Sequence, residues 1–153
     1  MDQPSQLIDS LLFLGFSLLL IAMFIPIFLW GLRKITSDMQ KSPEYTDRDV
    51  LAVRRQMLAL LVGAPLVLLF FAISRLILDR PSAYTVFIGL ILGFVPLAYL
   101  AVSWIRDRIA IGGRSLPVKG TKAVRSGVIS LVFLVLSFGG LAIYFAVYFT
   151  SLK

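Results

Sequence analysis

Arg75 and Asp79 are the pair of residues whose types and spacing most directly suggest chemistry. They lie four residues apart at the end of the apolar run 57–78, so that on a helix they share one face. An ionisable residue within an apolar span is a candidate for a functional site such as an ion or substrate pathway. The alternative, favoured by the position of Arg75 near the end of the run, is that its side chain extends to the lipid headgroups and pairs with Asp79 or a phosphate.

The segment 106–125 carries the most concentrated positive charge in the sequence. It holds a single acid, Asp107, and six cations, which are Arg106, Arg108, Arg114, Lys119, Lys122 and Arg125. A basic surface of this kind is suited to docking onto anionic lipid headgroups or an acidic partner protein. Alternatively, the charges only orient the protein in a membrane, and we favour this interpretation, with lipid binding as a secondary consequence.

Other kinds of chemistry are limited by the residues that the sequence lacks. There is no Cys and no His, and there are only eight carboxylates. Thiolate nucleophiles, disulfides and Cys-type zinc sites are thereby excluded, and the usual general base and metal ligand are missing. No acid lies in the central part of an apolar run, which argues against a proton-coupled carrier. We therefore expect no enzyme, no metal site and no cofactor.

The composition predicts a membrane protein. Of the 153 residues, 59% are hydrophobic and 15% are charged, whereas soluble domains have about 45–50% apolar residues. The net charge of +7 does not predict a nucleic-acid partner, because the basic residues flank apolar runs, where anionic lipids are nearer. We expect residues 1–153 to form a single integral membrane domain.

Four apolar runs predict an all-α protein with four transmembrane helices, over about 11–32, 47–78, 83–105 and 123–149. Each run provides the roughly 20 residues needed to cross a hydrocarbon core of about 30 Å. A capping box at 46–49 predicts the start of the second helix, and Thr121 is the predicted N-cap of the fourth. The connection 79–82 is so short that the second and third helices must be antiparallel.

The distribution of Lys and Arg predicts the orientation of these helices. Segments 33–56 and 106–125 hold twelve of these residues, against three on the other side, namely Arg75, Arg80 and Lys153. Because basic connectors are retained on the cytoplasmic face, we expect two antiparallel hairpins with cytoplasmic connectors and both termini outside. The expected location is a bacterial cytoplasmic (inner) or thylakoid-type membrane.

Small residues recur at four-residue spacing in three of the predicted helices. The pairs are Ala59 and Gly63, Gly89 and Gly93, and Ala142 and Ala146. This spacing allows helix backbones to approach closely in lipid, where there is no hydrophobic drive to bring helices together. The pairs serve either packing within the chain, which we favour, or contact with a partner helix.

Two short patterns occur in both halves of the sequence at nearly the same offset. Phe-Ile-Pro at 24–26 is similar to Phe-Val-Pro at 94–96, and Ala-Val-Arg at 52–54 recurs at 123–125. A duplicated hairpin, with halves related by an axis along the membrane normal, would produce this pattern. Chance similarity among residues drawn from a small apolar alphabet is the alternative.

These features favour a protein that acts by association, as an accessory, assembly or scaffold subunit of a larger membrane complex. The expected partners are membrane lipids, including anionic headgroups, and either another membrane protein or further copies of the chain. The alternative is a small oligomeric transporter or channel, in which helices kinked at Pro26, Pro65 and Pro96 line a path.

Overall fold

Four helices dominate the fold. The computed structural model of the protein describes the backbone of residues 3–78, 83–111 and 116–151. Within these residues the helices are α1 (Gln3–Lys41), α2 (Asp47–Ile77), α3 (Ala83–Asp107) and α4 (Thr121–Ser151). All four are long and apolar enough to cross a membrane, which confirms this part of the sequence-based prediction.

Helix α1 is longer than its apolar run. The predicted helix 11–32 is extended at both ends, and its 39 residues reach about 58 Å at 1.5 Å per residue. Beyond Leu32 the chain is polar, but residues 33–41 contain neither Gly nor Pro and so nothing stops the helix. It ends only at the turn around Pro43, whose ring disfavours helical backbone in the residue before it.

The starts of α2 and α4 are capped differently. At α2 the predicted capping box is present, because the Thr46 side chain accepts from the Asp49 N–H and the Asp49 carboxylate accepts from the Thr46 N–H. At α4 the predicted N-cap is wrong by one residue, since Thr121 is the first helical residue. Gly120 precedes it with φ 70°, in the left-handed region that favours glycine, and its carbonyl accepts from the Val124 N–H.

The helices lie in a row rather than in a closed four-helix bundle. Helix α2 packs between α1 and α3, and α3 packs between α2 and α4. Within the described residues, α1 does not approach α3 or α4, and α2 does not approach α4. The flanking helices α1 and α4 therefore each pack along one side only, and their other sides remain uncovered.

The fold is not purely helical, because the connector 106–125 contains a pair of short antiparallel strands. These are β1 (Ile109–Ala110) and β2 (Val118–Lys119), with Ile109 opposite Lys119 and Ala110 opposite Val118. Arg108, which directly follows α3, has φ 50°, and its carbonyl accepts a hydrogen bond from the Gly120 N–H at 2.8 Å. The segment expected to be a loop is thus held in a defined shape. Gly112, Gly113 and Arg114 lie outside the described residues.

A buried hydrophobic cluster includes one residue of this strand pair, Ile109. We call it the connector core; it consists of Leu32, Met39, Ala52, Val53, Met57 and Ile109. Met39, Val53 and Ile109 have no exposed surface. The connector core therefore joins the end of α1, the start of α2 and the strand β1 into one packed unit.

Candidate functional site at the connector end

Lys119 links the two basic segments 33–56 and 106–125, which we call the connectors; the end of the molecule where they lie is the connector end. Its Nζ lies 2.7 Å from Asp49 Oδ2 and 2.6 Å from the Glu44 carbonyl oxygen, and it donates to both. The same Nζ lies 5.0 Å from the centroid of the Tyr45 ring, within the range of a cation–π contact. This cation is therefore bonded within the chain, whereas the sequence left open a role in docking and favoured a role in orientation alone.

The pKa values of Asp49 and Tyr45 both differ from the usual values of these groups. Partial burial acts to raise the pKa of Asp49, but hydrogen bonds from Lys119 and Thr46 outweigh it and hold the pKa below its usual value. Burial and the neighbouring Glu44 raise the pKa of Tyr45. The Tyr45 hydroxyl donates to the Pro117 carbonyl at 2.6 Å and thus makes a second link between the connectors.

A third link is fully buried. Gln56 has no exposed surface, and its Nε2 donates to the Ile109 carbonyl at 3.1 Å. Its Oε1 is buried without a hydrogen-bond partner among the described residues. Because a buried polar side chain is costly unless it is satisfied, Gln56 is best explained by its bond to strand β1.

Beside these links lies a charged cleft of about 420 Å³, which we call the arginine cleft. It is lined by Arg48, Asp49, Ala52, Arg55, Arg106, Asp107 and Arg108. Arg48, Ala52 and Arg55 follow helical spacing and share one face of α2, so that the small Ala52 leaves room between two long side chains. The other side is formed by three consecutive residues at the end of α3 and just beyond it.

The six predicted basic residues of 106–125 do not behave alike. Arg106 binds the Asp107 carboxylate through Nε at 3.0 Å and through a terminal nitrogen at 3.3 Å, and Lys119 is paired with Asp49. Hydrogen bonding to Asp107 raises the pKa of Arg106. Arg108, Lys122 and Arg125 are exposed, and Arg114 lies outside the described residues.

Arg75 contacts a neighbouring helix. Its guanidinium carbon lies 5.2 Å from the centroid of the Phe13 ring in α1, and its carbonyl accepts from Ser10 Oγ at 3.2 Å. The suggested partner Asp79 lies outside the described residues. Within the described chain, Arg75 thus links the start of α1 to the end of α2.

Two of the predicted small residues face bulky side chains across the α2–α3 contact. A Cβ atom on Gly63 would lie 2.6 Å from Pro96 Cβ, and one on Gly89 would overlap the Phe71 ring. Gly93 is less crowded, with Val67 Cγ2 at 3.9 Å from the position of an added Cβ. Ala59 and Ala142 are half-buried, and Ala146 is exposed.

Gly127 of α4 lies close to α3, although the pairs predicted from the sequence do not include it. A Cβ atom there would lie 2.7 Å from the Ala101 carbonyl oxygen and 2.8 Å from Ile105 Cγ1. Ala123, one helical turn earlier, is fully buried. This pair has the same four-residue spacing as the predicted pairs, so the signal was present in the sequence.

The length and composition of the four helices are those of an integral membrane protein. At one end of the four helices, the basic segments 33–56 and 106–125 are packed and hydrogen-bonded to each other. No protein-family model, curated protein or solved structure matches this chain.

Proposed function

We propose that the protein is an accessory, assembly or scaffold subunit of a larger membrane complex, and that it binds its partner through the uncovered sides of α1 and α4. The observation that carries this proposal is the row of helices, in which α1 packs only against α2 among the helices. The sides of α1 and α4 that face no other helix carry large apolar side chains. Leu12 of α1 is 66% exposed and Leu136 of α4 is 69% exposed. Lipid can cover such sides, but shape-matched packing against another helix adds van der Waals contacts.

The proposed topology has two antiparallel hairpins with both termini outside and with segments 33–56 and 106–125 in the cytoplasm. The excess of Lys and Arg in these segments supports it. The bond from Tyr45 to Pro117 and the ion pair between Asp49 and Lys119 lend further support, because segments in contact must lie on the same side of a membrane. A reporter fused after Gly113 should be active only in the cytoplasm, and activity on the other side would overturn this orientation.

Purification from native membranes in mild detergent, followed by mass spectrometry, tests the subunit role. We expect a second membrane protein in fixed stoichiometry with this chain. A preparation that contains only copies of this chain would overturn the proposal and favour the homo-oligomeric alternative.

Site-specific photocrosslinking tests the surface. A photoreactive residue at Leu12 in α1 or Leu136 in α4 should form a discrete adduct with the partner. The matched control is Val95, which is 61% exposed but lies on α3 within the row. Equal adducts from all three positions, or adducts with lipid alone, would contradict docking through the flanking helices.

A further inference from the structure

The arginine cleft lies where two helices leave their apolar parts. On α2 the polar first turns end at Gln56 and the apolar run begins at Met57, two residues after Arg55. On α3 the apolar run ends at Ile105, directly before Arg106. In a membrane-spanning arrangement both transitions fall at the level of the lipid headgroups, so the cleft opens at the depth of their phosphates.

The cleft has more positive charge than its own acids can neutralise. Asp49 is already paired with Lys119, and Asp107 is paired with Arg106. Among the residues that the structure describes, no carboxylate forms an ion pair with Arg48, Arg55 or Arg108. Three guanidinium groups from two distant parts of the chain therefore line one cleft without an anionic partner.

The backbone of Arg108 adds a separate observation. With φ 50° it occupies the left-handed region, which is unfavourable for a residue with a Cβ atom and in which Gly or Asn is the usual choice. The hydrogen bond from the Gly120 N–H to the Arg108 carbonyl explains why the backbone turns here. It does not explain why the residue is Arg, whereas a role for the side chain in the cleft does.

We propose that the arginine cleft binds a phosphate ester, and that its principal source is the headgroup of an anionic phospholipid in the adjoining leaflet. Guanidinium groups donate paired hydrogen bonds to phosphate oxygens, and one phosphate has enough oxygens to accept from several of them. A cleft of about 420 Å³ has space for a headgroup larger than phosphate alone. This site goes beyond the proposed subunit role and does not depend on any protein partner.

Native mass spectrometry of the purified protein, released from mild detergent, tests the site. The added probes are short-chain phosphatidylglycerol, short-chain phosphatidylcholine and glycerol 3-phosphate. We expect one equivalent of phosphatidylglycerol to bind saturably and more tightly than phosphatidylcholine. The double variant Arg48→Gln/Arg55→Gln should weaken this binding at least about tenfold, because charge-assisted hydrogen bonds are lost.

The matched control is Arg54→Gln, because Arg54 is an exposed arginine of the same helix that does not line the cleft. It removes one positive charge and should change the affinity less than about twofold, as expected for screened charge alone. Arg108→Asn is a second test variant, since Asn tolerates the left-handed backbone and keeps the fold while removing the guanidinium. Circular dichroism of each variant checks that the helices are retained.

The outcomes separate the two sources of phosphate. Saturable binding of phosphatidylglycerol without competition by glycerol 3-phosphate supports the lipid headgroup, and competition supports a soluble phosphate ester at the same site. Absence of saturable binding overturns the proposal. An equal loss of affinity in Arg54→Gln and in the cleft variants also overturns it, because general charge would then explain the binding.

Discussion

The two halves of the helix row are packed in different ways. In the half next to the connectors, Met39, Val53 and Ile109 are fully buried, and the side chains of Tyr45 and Gln56 donate hydrogen bonds to backbone carbonyls distant in sequence. In the other half, Ala72 is the only buried hydrophobic residue among those that the structure describes. The contacts there include pairs of aromatic rings, such as Phe87 and Phe145, whose centroids lie 5.2 Å apart.

The surroundings of each half explain this difference. The connectors lie in water, where burial of an apolar side chain stabilises the folded protein by about 25 cal/mol per Å² of apolar surface removed from water. Within lipid, covering the same side chains gives no hydrophobic stabilisation, so helices associate through close van der Waals packing, as at Gly63 and Gly89. The connector end therefore resembles a small soluble core attached to a loosely covered membrane part.

Gln56→Ala should give the largest loss of stability. The substitution removes the donor to the Ile109 carbonyl, leaves that carbonyl unpaired and opens a cavity in a fully buried position. We expect the free energy of unfolding to fall by about 3 kcal/mol. Unfolding in mixed micelles by titration with dodecyl sulfate, followed by circular dichroism, measures the change.

The control for this variant is Gln40→Ala, because Gln40 is exposed near the end of α1. Its substitution should change stability by less than about 0.5 kcal/mol. If the two variants were equally stable, the connector end would not be the more tightly packed half of the molecule.

Gly127→Ala tests close packing at the α3–α4 contact and should have a smaller effect. The added methyl group would lie 2.7 Å from the Ala101 carbonyl oxygen, which belongs to helix backbone and cannot easily move. We expect a loss of about 2 kcal/mol, typical of overpacking, in the same unfolding titration.

Gly140→Ala is the matched change in the loosely covered half of the same helix. A Cβ atom at Gly140 meets nothing within 4 Å, and alanine has the higher helix propensity. We therefore expect unchanged or slightly greater stability. Equal destabilisation by both substitutions would show that α4 is tightly packed along its whole length and not only near the connectors.

Local patterns made much of the fold predictable. Apolar runs long enough for a bilayer predict the four helices, and the Thr46 and Asp49 pair predicts where α2 begins. The extension of α1 to Lys41 was missed, because membrane thickness limits the apolar run and not the helix.

The connector end was much less predictable, because its contacts join residues far apart in sequence. Tyr45 bonds to Pro117 and Gln56 bonds to Ile109, and nothing in the neighbourhood of either donor indicates the acceptor. The spacing of Arg48 and Arg55 is enough to predict that they share one face of α2. What the sequence did not show is that α3 ends opposite that face.

The repeated Ala-Val-Arg pattern can be compared with the burial of its residues in the two segments. Ala52 and Ala123 are both buried, while Arg54 and Arg125 are both exposed. The two segments thus share a buried Ala and an exposed Arg at the starts of α2 and α4, whereas Val53 is buried and Val124 is half-buried. This similarity is what a duplicated hairpin predicts, and it is also what the same three residues adopt on any helix with one packed side.

Lys119→Gln should have the smallest effect and a distinctive dependence on pH. An ion pair with a partly exposed lysine contributes less than about 1 kcal/mol, because solvent screens it. The folded-state pKa of Asp49 lies below its usual value of 3.8, so the contact contributes its full stability above pH 3.8. That contribution is lost as the pH falls below 3.8 and through the folded-state pKa. The excess stability of the natural protein over the variant should therefore disappear in acid.

Lys122→Gln provides the control for this pH dependence, because Lys122 is exposed at the start of α4 and has no ion pair among the described residues. Its difference from the natural protein should stay constant across the same acid range, since no carboxylate is linked to its charge. If the Lys119→Gln difference also stayed constant, the contact with Asp49 would contribute nothing to folding. Burial in the connector core, rather than charge pairing, would then hold the connectors together.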